Sequence, residues 1–242
     1  MSERTNVREQ IAHYERMAAR FDRSVWSLGK RDNRNHLVKV RAIARAIDAA
    51  EGGRVLEVGT GTGLHARWLL ANTPVTVTGV DASEPMLAIA ARRIEGYAGR
   101  AALGIADAHD LPFADDSFDA AFCSGTLHHL SRPGRGVAEL ARVTRPGGRV
   151  AAMEPNWKFP STMLVGASTP AERNVFKISP PALEAWGHAA GLENVRLERL
   201  LYSPPAPRSW SRMWDSVDRA AARIPGVRRL SIMLLLSGRV PG

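Results

Sequence analysis

The chain has 242 residues, 45% of them hydrophobic, which suits one α/β domain with a substantial core. Its single cysteine, Cys123, excludes an internal disulfide and stands in an apolar run typical of a buried strand. The net charge is +9, but the basic residues are scattered without a block of like charges, which argues against nucleic-acid binding. Because the N-terminus is polar and every apolar run is short, we expect a soluble, cytoplasmic protein with no membrane span.

Two helices are predicted ahead of the first strand. Apolar residues recur near a 3.6-residue period over residues 6–21 and again over 36–50, and Gly52 and Gly53 end the second helix. Both helices precede the strand–helix alternation described below. We therefore expect residues 1–50 to form a helical cap that covers a binding site and excludes water from it.

The most informative stretch is residues 54–63, an apolar strand pattern that runs into three alternate glycines. Gly59, Gly61 and Gly63 lack a Cβ, so the backbone can turn sharply there and approach a ligand closely. A helix is predicted next, over 64–71, and the free amides at its N-terminus attract an anionic group. The glycine spacing matches neither a dinucleotide fingerprint nor a P-loop.

A second strand pattern, over residues 75–80, ends in Asp81. This acid follows Gly61 by about the distance expected of a ribose-binding carboxylate in a nucleotide-binding sheet. A carboxylate there can accept hydrogen bonds from both ribose hydroxyls and would repel a 2′-phosphate. The alternative is that Asp81 is only a solvated strand end or a helix N-cap.

Strands and helices alternate through residue 154. Strands are predicted over 54–58, 75–80, 101–105, 118–123 and 149–154, and helices over 64–71, 83–95 and 134–144. Short connections between them predict a doubly wound parallel sheet, which binds ligands at the carboxyl ends of its strands. The later pattern is less regular. It comprises a substrate-side insertion over 155–178, helices over 179–190 and 208–223, a turn over 204–207, and strands over 195–201 and 230–236.

Five segments resemble, in order, the motifs of the class I S-adenosylmethionine-dependent methyltransferases, most closely the ubiquinone/menaquinone-type, methyltransferase domain 11-like branch. They are EVGTGTG at 57–63, DASEPML at 81–87, ADA at 106–108 with LPF at 111–113, FDAAFCS at 118–124 with LHHL at 127–130, and LARVTRPGGRV at 140–150. The resemblance implies a Rossmann-like, mostly parallel seven-stranded sheet that ends in an antiparallel strand pair, at 194–201 and 230–236.

The resemblance also implies one methyltransferase domain over residues 1–242. Its expected parts are the N-terminal helical cap (1–50), a cofactor-binding core (51–154), and a substrate-side segment with the last strands (155–242). A monomer or a homodimer is expected.

S-adenosylmethionine is the cofactor that the resemblance implies, and no metal ligand is predicted. The expected cofactor-binding residues are Tyr14, Glu57, Gly59, Thr60, Gly61, Gly63, Asp81, Ala82, Met86, Asp107, Ala108 and Ser124. Among them Asp81 would hold the ribose, Asp107 would accept from the adenine amino group, and Met86 would pack on the adenine or simply in the core. Tyr14 stands in a segment similar to the family's N-terminal Tyr-Asp pattern, with Glu15 in place of the aspartate.

The implied reaction is methyl transfer to an O, N or C atom of a small, partly apolar metabolite such as a quinone, a lipid or a specialised natural product. His128 and Glu154 are the candidate catalytic residues, the first as a general base and the second to orient an amine or hydroxyl. For His128 the alternative is a packing or hydrogen-bonding role within the loop. Large apolar side chains are predicted to line the pocket, and the alternative for each is a place in the core: Trp157, Phe159, Met163, Trp210 and Trp214.

Three alternatives stay open at this point. The first is an RNA methyltransferase, the second a cyclase that uses the bound cofactor electrostatically without transferring its methyl, and the third a non-catalytic cofactor-binding protein. No Asn/Asp-Pro-Pro-Tyr/Phe motif follows the fourth strand, where Ser124-Gly125-Thr126 stands instead. That absence argues against methylation of a base amine or a glutamine amide.

Overall fold

The computed structural model of the protein describes residues 34–203 and 210–242. The helix predicted over 6–21, the candidate residue Tyr14 and the turn predicted over 204–207 lie outside the described residues. Within the described ranges the chain alternates strands and helices up to a long fifth strand, except that a loop joins the third strand to the fourth, and it then adds helices and two further strands.

Seven strands form one sheet in the order β3-β2-β1-β4-β5-β7-β6. Their bounds are β1 Arg54–Val58, β2 Thr76–Asp81, β3 Ala101–Ile105, β4 Phe118–Ser124, β5 Thr144–Pro155, β6 Glu193–Leu200 and β7 Met233–Arg239. The first five strands are parallel, and β7 pairs antiparallel with both β5 and β6. The predicted Rossmann-like, mostly parallel sheet with a C-terminal antiparallel strand pair is confirmed.

Helices cover both faces of this sheet. The bounds are α1 Arg34–Ala46, α2 Leu64–Asn72, α3 Glu84–Ile94, α4 Pro133–Val143, α5 Pro160–Ser168, α6 Pro180–Ala189 and α7 Ser211–Arg223. Local sequence sets where two of them begin. The hydroxyls of Ser83 and Ser179 accept hydrogen bonds from the amides of Met86 and Ala182, and a proline occupies the first turn of each helix.

Two apolar layers, one on each face of the sheet, form the core. Side chains alternate along β1, so Leu56 packs in one layer with Leu140 while Val55 packs in the other with Ile43. Burial on both faces explains why the central parallel strands β1 and β4 appear in the sequence as largely apolar runs. Helix α1 is bound to the sheet through Ile43, and other residues of its surface face the site described below.

The last strand begins three residues later than predicted. The apolar run that starts at Leu230 favoured a strand at once, but the chain forms a 3₁₀ turn over Val227–Leu230 before β7 starts at Met233. The strand then continues through Ser237, Gly238 and Arg239, because β5 and β6 flank it on both sides and supply partners for its backbone groups. Backbone pairing rather than side-chain character therefore determines that these residues belong to the strand.

The insertion over 155–178 is more ordered than its composition suggested. It forms α5 and a 3₁₀ segment over Pro170–Lys177, which pack on each other through Gly166 and Val175. A Cβ on Gly166 would come within 2.6 Å of a Val175 methyl, so glycine permits this close approach. The insertion thus places a structured wall beside the carboxyl ends of the strands.

Helix α7 is held to the body by charge. The Arg34 guanidinium donates to the carboxylates of Asp215 and Asp218 at 2.6–2.8 Å, and to the hydroxyl of Ser203 at 2.9 Å. Arg34 is 3% exposed, so this cluster is largely shielded from water. None of the helices in residues 34–203 and 210–242 is both long enough and apolar enough to cross a bilayer.

Candidate active site

A tight turn follows β1 at the point where the strand order reverses, between β1 and β4. The amides of Gly59 and Thr60 both donate to the carbonyl of Val80, at 2.8 and 3.0 Å, which ties the turn to β2. Gly59 has φ of +72°, and a Cβ there would lie 2.2 Å from the hydroxyl of Thr126. Gly61 also has positive φ, at +53°, but a Cβ there would meet no protein atom within 4 Å. The first glycine allows packing against the protein, and the second leaves open space.

Asp81 ends β2 beside this turn. Its Oδ2 accepts a hydrogen bond from the Gly61 amide at 2.8 Å, and its Oδ1 accepts one from the Ser83 amide at 2.9 Å. Burial raises the pKa of Asp81 above its usual value, and the nearby Glu57 carboxyl acts in the same direction. The carboxylate is therefore fixed in orientation by backbone groups at the carboxyl edge of the sheet.

Glu57 and Gly63 contact the turn or its neighbouring helix on the side away from the cavity. Burial raises the pKa of Glu57 to about 8, although the Thr60 hydroxyl donates to its Oε2 at 2.9 Å. Gly63 begins α2 with positive φ, and a Cβ there would lie 3.0 Å from the Cβ of Ala90 on α3. Neither residue lines the cavity described below, so their contribution is to the shape of the turn.

Asp107 and Ala108 follow β3 on the adjacent edge. The Oδ1 of Asp107 accepts from both the amide and the ring Nδ1 of His109, each at 2.8 Å. Burial alone would raise the pKa of Asp107, but the hydrogen bonds from His109 lower it below its usual value. Asp107 is thus an ionised acceptor at neutral pH.

His128 sits between two carboxylates in the 3₁₀ turn that follows β4. Its Nδ1 lies 2.6 Å from Oε2 of Glu154, and its Nε2 lies 3.3 Å from Oε2 of Glu172. Burial alone would lower the pKa of His128, but Glu154 and Glu172 raise it to about 9. In the absence of a further ligand, the ring is therefore protonated on both nitrogens and positively charged at neutral pH.

Glu154 is completely buried at the end of β5. Its Oε1 accepts from the amides of Thr126 and Leu127 at 2.9 and 2.8 Å, while Oε2 faces His128. It does not line the cavity. The geometry therefore gives Glu154 the task of fixing the loop and the His128 ring, and does not place it against an acceptor molecule as the sequence suggested.

Three basic side chains that the sequence analysis did not single out also face the site. His36 and Lys39 project from α1, and His65 from α2. Burial lowers the pKa of Lys39 to about 8 and, with the neighbouring basic groups, lowers those of both histidines to about 3. In the sequence, His36 and Lys39 are three residues apart, which places them on one face of α1. A polar helix face ordinarily indicates exposure to solvent, so this spacing does not by itself reveal that the face borders a cavity.

One cavity of about 580 Å³ joins these groups. Most of the predicted cofactor residues line it together with His128: Gly59, Thr60, Gly61, Asp81, Ala82, Met86, Asp107, Ala108 and Ser124. The opposite wall comes from the insertion and the start of β7, through Thr162, Val165, Gly166, Val175, Ile232 and Met233. None of the large apolar residues predicted for this wall lines it, and Trp210 and Met163 are about half exposed, at 57% and 47%.

Residues 56–152 match the family model described as a methyltransferase domain. Over 107 residues the chain is 41% identical to methyltransferase GfsG of Streptomyces halstedii, which covers 43% of this chain and 38% of that protein. Over 118 residues it is 38% identical to the ubiquinone/menaquinone biosynthesis C-methyltransferase UbiE of Geotalea daltonii, which covers 47% of this chain and 50% of that protein.

A crystal structure described as a SAM-dependent methyltransferase of Thermotoga maritima superposes with a TM-score of 0.69 at 20% identity. The superposition covers 94% of this chain and 98% of that one, and shows a shared fold. The chain matches half or less of the length of the two curated relatives. Residues 56–152 thus match a methyltransferase domain, and the chain shares the fold of the S-adenosylmethionine-dependent methyltransferase structure.

Proposed function

We propose that this protein binds S-adenosylmethionine and transfers its methyl group to an O, N or C atom of a small, partly apolar metabolite. The observation that carries the proposal is one cavity, lined by the glycine turn, Asp81 and Asp107 on one side and by the insertion on the other. Its volume of about 580 Å³ lies within the range of small-molecule sites, roughly 300–1,000 Å³. Cofactor and acceptor would therefore share one chamber.

The described residues fit the cofactor. The open space at Gly61 suits close approach of the methionyl part to the backbone, and Asp81 offers a fixed carboxylate to the ribose hydroxyls. Asp107 and the Ala108 amide are available to the adenine edge, and the buried Met86 to its face. When bound, S-adenosylmethionine supplies an electrophilic methyl group on a positively charged sulfur.

The chain's contribution to the reaction is mainly alignment and exclusion of water. Such a displacement needs the nucleophile held in line with the methyl group, which positioning can accelerate strongly. On the acceptor side, Val165, Val175, Ile232 and Met233 present apolar surface, which favours a substrate with apolar parts. One relative is named as a ubiquinone/menaquinone biosynthesis C-methyltransferase, which supports an acceptor of this kind.

The role of His128 as a general base stays a prediction. A ring whose pKa is about 9 is already protonated at neutral pH. It can accept a proton from the acceptor molecule only above that pH, or after one of the two carboxylates has moved away and the pKa has fallen. Displacement of Glu172 by an acceptor hydroxyl is one such event, because Glu172 lies on the insertion and is 19% exposed. Glu154 would keep the ring oriented throughout.

The RNA methyltransferase and the cyclase are not favoured by these observations. The wall formed by the insertion and the start of β7 is mostly apolar, and two relatives are named as a ubiquinone/menaquinone biosynthesis C-methyltransferase and a demethylmenaquinone methyltransferase. A cyclase would leave the cofactor unchanged, so release of S-adenosylhomocysteine on turnover distinguishes it from a methyltransferase.

Methyl-labelled S-adenosylmethionine tests the proposal. The full chain is incubated with labelled cofactor and a metabolite extract, and the products are identified by mass spectrometry. We expect a labelled small molecule and an equal amount of S-adenosylhomocysteine, both strongly reduced when Asp81→Ala replaces the wild-type protein at a subsaturating concentration of the cofactor. Failure of the wild-type chain to bind S-adenosylmethionine in calorimetry would overturn the proposal at its first step.

A further inference from the structure

We propose that His128, His129 and Glu172 bind one divalent transition-metal ion at the acceptor side of the cavity. This site goes beyond methyl transfer and is assigned from side-chain geometry. One nitrogen from each histidine and one carboxylate oxygen of Glu172 all lie within 4.8 Å of one another. All three residues line the cavity.

The three ligand atoms come from two different elements. His128 and His129 are adjacent in the 3₁₀ turn after β4, with ring centroids 3.8 Å apart. Glu172 comes from the 3₁₀ segment Pro170–Lys177 of the insertion and brings Oε2 to 3.3 Å from Nε2 of His128. In a zinc site the bonds to histidine nitrogen and carboxylate oxygen are about 2.0–2.2 Å long, so ligand atoms around one ion lie within a few ångströms of one another.

A carboxylate already orients the first ligand. Metal-binding histidines commonly donate their other ring N–H to a carboxylate, which fixes the tautomer and directs the free nitrogen at the metal. Glu154 occupies that place at 2.6 Å from Nδ1 of His128, and is itself held by the amides of Thr126 and Leu127. This arrangement is an observation independent of the ligand cluster, and it leaves Nε2 of His128 facing Glu172.

The donor set defines the class of metal. Two imidazoles and one carboxylate suit Zn²⁺ or Fe²⁺, whereas Mg²⁺ and Ca²⁺ prefer oxygen ligands alone. Three protein ligands leave coordination positions open, as in catalytic sites. These positions would face the cavity, since all three ligands line it.

The site is a feature of this chain's insertion. The histidines lie within the segment matched by the methyltransferase family model, residues 56–152, but Glu172 lies outside it. The insertion therefore supplies the third ligand and with it the ability to hold an ion.

The consequence for chemistry rests on the proposed function. A metal ion lowers the pKa of a bound hydroxyl, so an acceptor alcohol or phenol would lose its proton to solvent and present an oxyanion to the methyl group. Metal binding itself requires no methyl transfer. It is therefore tested separately.

Zinc alone is the probe. Untagged full-length protein is freed of metal with a chelator, titrated with Zn²⁺ in a calorimeter, and measured for zinc content after gel filtration. The titration is repeated with Co²⁺, whose d–d absorption reports nitrogen and oxygen ligands. We expect one equivalent bound, with affinity at least about tenfold weaker in Glu172→Gln and in His129→Asn.

Matched changes on α6 serve as controls. Glu184→Gln and His188→Asn make the same substitutions at exposed positions, and should bind Zn²⁺ like the wild type. If His129→Asn does not fold, Glu172→Gln decides, because its side chain is partly exposed and its loss is tolerated more readily. The site is refuted if the wild type binds no stoichiometric zinc, or if Glu172→Gln and Glu184→Gln bind it equally well. Calorimetry with S-adenosylmethionine on the same preparation shows whether the cofactor site succeeds or fails independently.

Discussion

The Oδ2 atom of Asp81 lies 2.8 Å from the amide nitrogen of Gly61, so the acid that ends β2 is bonded to the turn that ends β1. The second oxygen accepts from the Ser83 amide at the start of α3. One carboxylate thus connects two neighbouring strand ends and is held in a fixed direction before any ligand arrives. Pre-organisation of this kind reduces the entropy lost when a ligand binds.

Asp81→Ala should weaken S-adenosylmethionine binding more than it weakens the fold. Each hydrogen bond to a charged group contributes about 1.5–3 kcal/mol, so the loss in affinity should be roughly tenfold or more. Calorimetry with purified protein measures it. Glu84→Ala removes an exposed carboxylate three residues away and is the control, expected to bind normally. Equal affinity of Asp81→Ala and wild type would contradict the placement of the cofactor.

Two glycine substitutions should separate folding from binding. Gly59→Ala places a methyl group 2.2 Å from the Thr126 hydroxyl at a φ of +72°, so the melting temperature should fall clearly. Gly61→Ala meets no protein atom, so its cost to stability should be limited to the left-handed backbone, about 1–2 kcal/mol. Its methyl group would enter the cavity and should abolish cofactor binding in calorimetry. Normal cofactor binding by Gly61→Ala would show that the cofactor does not approach this turn.

Two strands at the site were predictable because the apolar pattern of their own residues is sufficient to locate them. Strands β1 and β3 begin and end where the apolar pattern predicts, and Asp81 stands at the edge where the pattern puts it. Side-chain character suffices for β1, a central strand that is buried on both faces, whereas β3 lies at the edge of the sheet and is only partly buried. The start of β7 and the order within the insertion were not predictable, because they depend on pairing and packing with distant segments.

The residues at the strand ends of the cavity were predicted better than those of the helices and the insertion that enclose it. Motif positions identify residues that follow a strand, such as Asp107 and Ser124, but do not reveal which helix surface closes over them. Lys39 therefore went unnoticed on a helix whose apolar face had been identified. Trp210 illustrates the opposite error, since a large apolar side chain was expected inside and is 57% exposed. Tertiary placement of the added segments decides both cases.

Glu57→Gln should change how stability depends on pH. Burial raises the pKa of Glu57 from 4.5 to about 8, so between these values the folded protein holds a proton that the unfolded chain has lost. The free energy of unfolding contributed by this group therefore falls as pH rises from about 5 to 8, on the order of a few kcal/mol in total. Glutamine cannot ionise and keeps an acceptor for Thr60.

The measurement is the difference in free energy of unfolding between Glu57→Gln and wild type at pH 5, 6.5 and 8. Neighbouring His65 titrates in both proteins, and comparing them isolates Glu57. We expect the difference to shift in favour of glutamine as pH rises. A difference that does not change with pH would mean that Glu57 is already ionised at pH 5 in the folded state.

Arg34→Ala should loosen α7 without unfolding the sheet. Breaking a fully buried ion pair costs about 3–5 kcal/mol, and because Asp215 is 42% exposed we expect a smaller loss, about 2 kcal/mol. Hydrogen exchange should rise across residues 211–223 while β1 and β4 stay protected. The control is Arg45→Ala, in the last turn of α1, the helix that Arg34 begins. It breaks only an exposed 3.8 Å contact with Glu198 and should change neither measurement. Equal exchange in both variants would mean that α7 is held by its apolar contacts and that the Arg34 cluster contributes little.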